Sequence, residues 1–164
     1  ADYPLVVEVR HATWNDHAFY ALLHERGVGF CNIDQPVIGR SIKPSERATA
    51  RVAYVRLHGR RYDSWFSDDP ALPPSERYNY LYSEQELEPW AARIQHLARS
   101  GDSTFVIANN HFEGKAVVNA LQLVRLLTGA KVKVPEPLRE KYPLLDRIAV
   151  APPEQPLLFP VPKS

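Results

Sequence analysis

Ionisable and amide side chains stand at the ends of four short apolar runs of this sequence. In chain order they are Glu8, Arg10, Asp34, Arg56, His58, Asn109 and Asn110. Carboxylates and histidine can take up and release protons, and arginine can stabilise negative charge that develops on a substrate. This set predicts acid–base work of the hydrolytic or lyase kind on an anionic ligand, with the five charged or imidazole residues in the catalytic role.

The four apolar runs have the composition of buried β-strands. They cover residues 5–10, 28–34, 52–58 and 105–110. Their near-continuous hydrophobicity is typical of parallel strands that are covered on both faces. Since alternate residues of a strand share a face, we expect the polar residues to point one way: Glu8 with Arg10, Asn32 with Asp34, Tyr54 with Arg56 and His58, and one of Asn109 and Asn110. The residues expected to face the helices are Val7, Val9, Ile33, Val55 and Leu57.

Three segments have helical spacing of apolar residues: 15–26, 84–99 and 115–128. Asn15 is the predicted cap of the first helix. Ser83 and Glu86 form a capping box before the second helix, but Pro89 lies inside it, so we expect the regular part to begin near Glu88. The third helix has an apolar stripe that consists of Val117, Ala120, Leu121, Val124 and Leu127.

The alternation of strands and helices predicts an α/β fold with a parallel sheet and right-handed crossovers. Residues 59–82 interrupt this order with a long connection rich in aromatic residues, which we expect to fold over another part of the protein. From Pro135 onward the chain is rich in proline, and residues 151–162 have the composition of an irregular segment that either wraps the domain or is mobile.

Several motifs at the strand ends occur in the order found in a known family. They are Val7-Glu8-Val9-Arg10-His11-Ala12-Thr13-Trp14, Tyr54-Val55-Arg56-Leu57-His58-Gly59, Tyr80-Leu81-Tyr82-Ser83 followed by Glu86-Leu87 and Trp90-Ala91, and Asn109-Asn110-His111 followed by Ala116, Asn119 and Ala120. Across residues 5–129 the sequence thereby resembles the YecE-like family, the domain of unknown function numbered seventy-two. It departs from the family at Pro89, at Ala108, where an aromatic residue is usual, and in its proline-rich C-terminal part.

The resemblance implies half of a TIM-type (β/α)8 barrel, in which the four strands of this chain are the fifth to the eighth. Residues 1–129 would be the C-terminal half of the family's barrel domain, and residues 130–164 a proline-rich extension. Four such strands alone would expose two sheet edges and an apolar inner face. We therefore expect the other half of the barrel in the same polypeptide or in a second copy of this chain.

TIM barrels carry their active sites at the carboxyl ends of the strands, where these polar residues lie. The loops after the seventh and eighth strands often hold phosphate, and here they contain Arg61 and Lys115 beside Gly114. We therefore expect a small anionic or phosphorylated ligand. The ligand-binding candidates are Asn109, Asn110, His111, Lys115, Arg61 and Trp14. In the alternative, non-catalytic interpretation, the charges form a structural ion-pair network and the domain is an interaction scaffold.

The aromatic residues of segment 59–82 support a different hypothesis. Tyr62, Trp65, Phe66, Tyr78 and Tyr80 alternate with arginines, as in a platform on which nucleic-acid bases stack. The alternative function is therefore a nucleic-acid-processing, phosphodiesterase-like barrel. Four acidic residues and three prolines in the same segment favour a packed lid instead.

No cofactor or metal ion is predicted. Glu8, Asp34, His58 and His111 are of the types that ligate divalent cations, but no close-spaced pair such as His-Glu-x-x-His occurs. Cys31 lies in the middle of a strand, as an inert buried thiol does, so covalent catalysis is not expected either.

The amino-acid composition restricts the class of protein and its expected location. Twenty basic against 19 acidic residues give a net charge of +1, which does not indicate a strongly basic nucleic-acid binder. The single cysteine excludes an intramolecular disulfide and predicts a reducing, cytoplasmic location. No apolar run approaches the ~20 residues of a membrane span, and the start does not resemble a signal peptide, so no membrane partner is expected.

Overall fold

The computed structural model describes residues 3–65 and 73–151 and places four strands in one sheet. The strands are Val6–Val7 (β1), Gly29–Asp34 (β2), Val52–Leu57 (β3) and Ser103–Ala108 (β4). The α-helices are His17–Glu25 (α1), Tyr62–Trp65 (α2), Glu84–Ser100 (α3), Lys115–Thr128 (α4) and Glu136–Lys141 (α5). Short 3-10 helices cover Ala12–Trp14, Pro74–Tyr78, Phe112–Gly114 and Pro143–Arg147. Within the two described ranges, no helix is both long and apolar enough to cross a membrane.

The strands are all parallel and lie in the order β1-β2-β3-β4, as the alternation of strands and helices predicts. β1 is much shorter than the predicted strand over 5–10, because only Val6 and Val7 pair with β2. The chain then leaves β2 and pairs with the connection that follows it: the carbonyl of Arg10 accepts a hydrogen bond from the Ile42 N–H, and His11 forms an antiparallel bridge with Ser41.

The helices α1, α3 and α4 cover one face of the sheet. Ala53, Val55 and Leu57 of β3 pack there against buried residues of α3, including Leu87, Trp90 and Ile94. Burial of these apolar side chains is the main favourable contribution to folding. On the opposite face, two side chains of β4 remain accessible: Phe105 is 50% exposed and Ile107 is 38% exposed.

The predicted orientation of β2 is wrong. Its register places Asn32 beside Val55 and Asp34 beside Leu57, on the face that the helices cover, whereas Ile33 lies beside Arg56. All six residues of β2 are buried, so the alternation of polar and apolar residues along this strand does not distinguish an open face from a covered one.

Two predicted helix starts also need correction. Asp16, rather than Asn15, caps α1, because its carboxylate accepts hydrogen bonds from the N–H groups of Ala18 and Phe19 at 2.9 and 3.2 Å. α3 begins at Glu84 and continues through Pro89. A capping box of Ser83 with Glu86 defines this start. The helix tolerates the missing N–H donor of Pro89 because Leu87, Trp90 and Ile94 on either side of it are buried in the core.

The bounds of α4 are those predicted, but its buried face is not. Val118, Asn119 and Leu123 are buried, whereas Val117 is 50% and Val124 is 46% exposed. The predicted stripe was wrong because it was built from apolar residues alone and left out Asn119. Its side chain instead bonds to the backbone of Tyr82, so the helix buries a polar residue and presents part of its apolar stripe to solvent.

Residues 130–151 pack onto α4. Tyr142 and Leu145 form a small core with Val118, and the Tyr142 hydroxyl donates to the carbonyl of Glu113 at 2.9 Å. The predicted irregular segment over 151–162 lies, beyond Ala151, outside the described residues.

Replacing Ser83 with Ala removes the hydroxyl that accepts the Glu86 N–H and orients the Glu86 carboxylate. We expect the free energy of unfolding to fall by about 1 kcal/mol, the usual value of such a cap. Urea denaturation measures this change. Ser100→Ala, the same substitution at the exposed opposite end of α3, is the control, and equal losses in the two variants would contradict the role of the cap.

Candidate functional site

Glu8 is the centre of a charged network at the carboxyl ends of the strands. Its Oε1 lies 2.8 Å from Nη2 of Arg10 and 3.1 Å from Nε2 of His58, and its Oε2 accepts a hydrogen bond from Nη1 of Arg56 at 2.7 Å. Arg56 in turn donates to Oδ1 of Asn109 at 3.2 Å. The structure thus brings together five of the predicted residues, contributed by the chain at and just beyond β1, β3 and β4.

The hydrogen bonds of Asn109 define which ring nitrogen of His58 accepts a hydrogen bond and which one donates. Because arginine can only donate, the oxygen of Asn109 must face Arg56, and its Nδ2 then donates to Nδ1 of His58 at 3.1 Å. The imidazole proton consequently lies on Nε2 and points to Glu8. Both ring nitrogens of the fully buried His58 are therefore bound to protein partners.

The network keeps Glu8 ionised. Burial raises the pKa of its carboxyl, but the interactions with His58, followed by the hydrogen bond from Arg56 and the charge of Arg10, outweigh burial and lower the pKa to about 2. Burial, followed by the negative charge of Glu8, raises the pKa of the neighbouring Cys31 thiol to about 12. Cys31 is accordingly the unreactive thiol that the sequence predicts.

Asp34 does not join this network. It is fully buried on the other face of the sheet and binds Arg60 through two hydrogen bonds of 2.8 and 2.9 Å. Arg60 also contacts Glu86, which accepts a 2.6 Å hydrogen bond from the Tyr80 hydroxyl. Asp34 and Arg60 therefore connect the end of β2 to the start of α3, which is a structural role.

Asn110 also lies apart from Glu8. Its Nδ2 donates to the carbonyl of Tyr80 at 2.8 Å and to Oδ1 of Asn119 at 2.7 Å. Of the two asparagines that the sequence leaves open, Asn109 is thus the one in the network. Asn110 holds the segment before α3 against α4.

The residues predicted to bind phosphate have protein partners. Arg61 forms an ion pair with Glu76, and Lys115 donates to the side chain of Asn79. His111 is exposed and bonds through Nδ1 to the carbonyl of Asn109. Trp14 packs on Phe19, with ring centroids 4.9 Å apart, and has no hydrogen bond to the network.

A basic cleft of about 450 Å3 adjoins Arg10 at the carboxyl ends of β1 and β2. It is lined by Arg10, His11, Gln35, Ile38, Arg40, Ser41, Trp65 and Arg77. We call it the arginine cleft. Within the described part of the chain, its lining contains three arginines and no carboxylate. Its volume is that of a small-molecule site.

Backbone pairing between two loops positions the wall of the arginine cleft. The bridge between His11 and Ser41 and the hydrogen bond from the Ala12 N–H to the carbonyl of Arg40 hold the two loops together. Arg40, Gln35 and His11 were not predicted as site residues. Their positions after the first two strands, and for His11 its place in a family motif, were the available sequence signals.

Four aromatic residues of segment 59–82 pack on each other or on the network, whereas Tyr62 is 52% exposed. Trp65 is buried and lies edge-on to His58 and to Tyr78, with ring centroids 6.3 and 6.1 Å apart. Tyr80 and Tyr82 form a second edge-on pair. This packing is that of the predicted lid, although Phe66 lies outside the described residues.

In residues 3–65 and 73–151, no group of three or more histidine, cysteine, aspartate or glutamate side chains is placed to hold a metal ion. Glu8 and His58 are in contact, whereas Asp34 and His111 lie elsewhere. The four residues named as potential ligands thus do not converge on one point.

The fold and the site define a parallel α/β domain with a charged network and a basic cleft at the carboxyl ends of its strands. The chain belongs to the DUF72 family: the family model described as "Protein of unknown function DUF72" matches residues 1–142. The resemblance inferred from the strand-end motifs is thereby confirmed.

The chain is also similar to individual proteins of this family. The chain is 34% identical to the UPF0759 protein YunF of Bacillus subtilis over 133 residues, which are 77% of this chain and 47% of YunF. A crystal structure of a DUF72 family protein from Thermotoga maritima is 36% identical and matches 77% of this chain and 46% of that chain with a TM-score of 0.70. A crystal structure of a DUF72 family protein from Enterococcus faecalis is 24% identical and supports the fold. It matches 82% of this chain and 50% of that chain, also with a TM-score of 0.70. The chain spans about half the length of these relatives.

Glu8→Gln tests whether the ionised carboxylate supports the network. The pKa of Glu8 falls from its usual 4.5 to about 2 on folding, so its contribution to stability is present above pH 4.5 and is lost as the pH falls towards 2. We expect the variant to lose roughly 2–3 kcal/mol of unfolding free energy at pH 7. The difference from the wild type should shrink as the pH is lowered from 5 to 3.

The control for this measurement is Glu88→Gln, the same change on an exposed residue of α3. We expect it to alter the unfolding free energy by less than about 0.5 kcal/mol at pH 7. A loss in Glu8→Gln that is equally large at pH 7 and pH 3 would mean that Glu8 acts through packing and not through its charge.

Proposed function

We propose that this domain binds a small anionic ligand, such as a phosphate monoester, in the arginine cleft. The observation that carries the proposal is the convergence of Arg10, Arg40 and Arg77 on one concave space without a carboxylate in its described lining. Guanidinium groups form strong, charge-assisted hydrogen bonds with phosphate and carboxylate groups. A ligand with two negative charges offsets the mutual repulsion of the three arginines.

The Glu8 network supports this function by orienting Arg10. Oε1 of Glu8 accepts from Nε of Arg10 at 2.9 Å and lies 2.8 Å from its Nη2. The guanidinium carbon of Arg10 also lies 5.9 Å from the centroid of the Trp65 ring. The network sets two arginines, Arg10 and Arg56, against the single carboxylate of Glu8. It therefore retains one positive charge beside the cleft.

Acid–base chemistry by Glu8 and His58 stays a prediction. Both imidazole nitrogens have protein partners, and the low pKa of Glu8 makes its carboxylate a weak base. These contacts favour a binding and orienting role for the pair. Proton transfer to a ligand would require the network to open.

Isothermal titration with inorganic phosphate tests the cleft. We expect Arg40→Ala and Arg77→Ala each to weaken binding about tenfold, the effect of losing one charged hydrogen bond. Arg99→Ala removes the same charge from an exposed position on α3 and should bind as the wild type does. Equal affinities in all three variants, or no saturable binding to the wild type, would contradict the proposal.

We further propose that the sheet is half of a TIM-type barrel and contains its fifth to eighth strands. Three observations support this: all four strands are parallel, α1, α3 and α4 cover the same face, and β4 leaves Phe105 and Ile107 exposed on the other. A groove of about 430 Å3 on that face is lined by apolar residues together with Glu8 and Arg56. The other four strands would come from the same polypeptide or from a second copy of the chain.

Native mass spectrometry separates these two sources. A second copy would give a species of twice 18.7 kDa, which Ile107→Arg should dissociate because it places a charge on the apolar face. A monomer would indicate that the remaining strands belong to the same polypeptide. A dimer that Ile107→Arg leaves intact would contradict closure through this face.

A further inference from the structure

Gln35 is a buried amide in the wall of the arginine cleft. It follows β2, is only 3% exposed, and lines the cleft beside Arg10 and Trp65. Its Oε1 accepts no hydrogen bond from any described residue. A buried acceptor without a donor costs free energy. A donor from outside the described chain would therefore stabilise Gln35.

The orientation of this amide is set by its other end. Nε2 of Gln35 donates to the carbonyl of Arg10 at 3.2 Å. Turning the amide over would place Oε1 against that carbonyl, where two acceptors would repel each other. The contact with Arg10 therefore sets which end of the amide is free, and Gln35 itself lines the cleft.

The remaining lining of the cleft defines the rest of a ligand. Three guanidinium groups provide for an anion with two charges, and Trp65 and Ile38 provide an apolar wall. Carbon skeletons with C–H surface pack on such a wall, and hydroxyl groups on the same skeleton are the donors that a buried amide oxygen needs.

We infer that the ligand is a phosphate monoester of a hydroxylated compound, that is, a sugar phosphate or a phosphorylated polyol. This inference rests on the proposed anion-binding function. The phosphate group lies among Arg10, Arg40 and Arg77, and a hydroxyl group donates to Oε1 of Gln35. A small adjustment of the Gln35 side chain opens its oxygen to the ligand.

Two probes of equal charge and equal carbon number test this inference: glycerol 3-phosphate and propyl phosphate. The compounds differ by two hydroxyl groups. We expect the wild-type chain to bind glycerol 3-phosphate about tenfold more tightly, the effect of one hydrogen bond to a buried acceptor. Gln35→Met should abolish this preference and retain its affinity for propyl phosphate. Gln95→Met, on the exposed side of α3, should keep the preference.

The outcomes separate the two proposals. Equal binding of both compounds to the wild type would overturn the hydroxyl inference and leave the anion site standing. Failure of both compounds and of inorganic phosphate to bind would overturn the proposed function as well. If Gln35→Met does not fold, the wild-type comparison of the two compounds still decides the inference.

Discussion

The ionised carboxylate of Glu8 is the interaction on which the candidate site depends. A buried charge is tolerated only where partners replace the water it has lost, and Arg10, Arg56 and His58 are those partners. Because Glu8 follows β1 while Arg56 and His58 belong to the end of β3, one carboxylate connects two strands that are not neighbours in the sheet. The ends of these strands are thereby fixed relative to each other.

Other buried polar contacts secure the elements around this centre. Asp34 and Arg60 attach the end of β2 to α3, and Asn110 and Asn119 attach β4 to α4. The Asp34–Arg60 ion pair balances its own charges, and both ends of the Asn119 amide are hydrogen-bonded. These contacts account for most of the polar residues at the strand ends, so the arginine cleft is the place where positive charge lies beside open space and without a carboxylate in the described lining.

The alternation of apolar runs and helical spacing was sufficient to predict a parallel α/β fold, because both signals are local in sequence. The site was predictable only in part. Glu8, Arg10, Arg56, His58 and Asn109 were found from their positions at strand ends. Asp34 was misplaced because its charge suggested an open face, whereas both faces of β2 are buried and Asp34 is paired with Arg60 on the face that the helices cover. Arg40 and Arg77 lie in connections, where no periodicity shows which side chains converge.

The exposed apolar face of the sheet fits the proposal that longer family members cover it with further strands. The chain covers about half of each solved relative, and its edge strand leaves large apolar side chains accessible. Proteins seldom leave such a face uncovered. Its closure by four further strands would place Glu8 and Arg56 inside a barrel and the arginine cleft at its rim.

The most direct measurement follows the side-chain Nε–Hε signals of the arginines by nuclear magnetic resonance during titration with inorganic phosphate. If the arginine cleft binds the anion, Arg10, Arg40 and Arg77 shift with one common dissociation constant. Arg51, which is paired with Asp102 on the surface, and Arg60, which is paired with Asp34, stay unchanged. Shifts confined to Arg60 and Arg61, or no saturable shift at all, would contradict anion binding at this site.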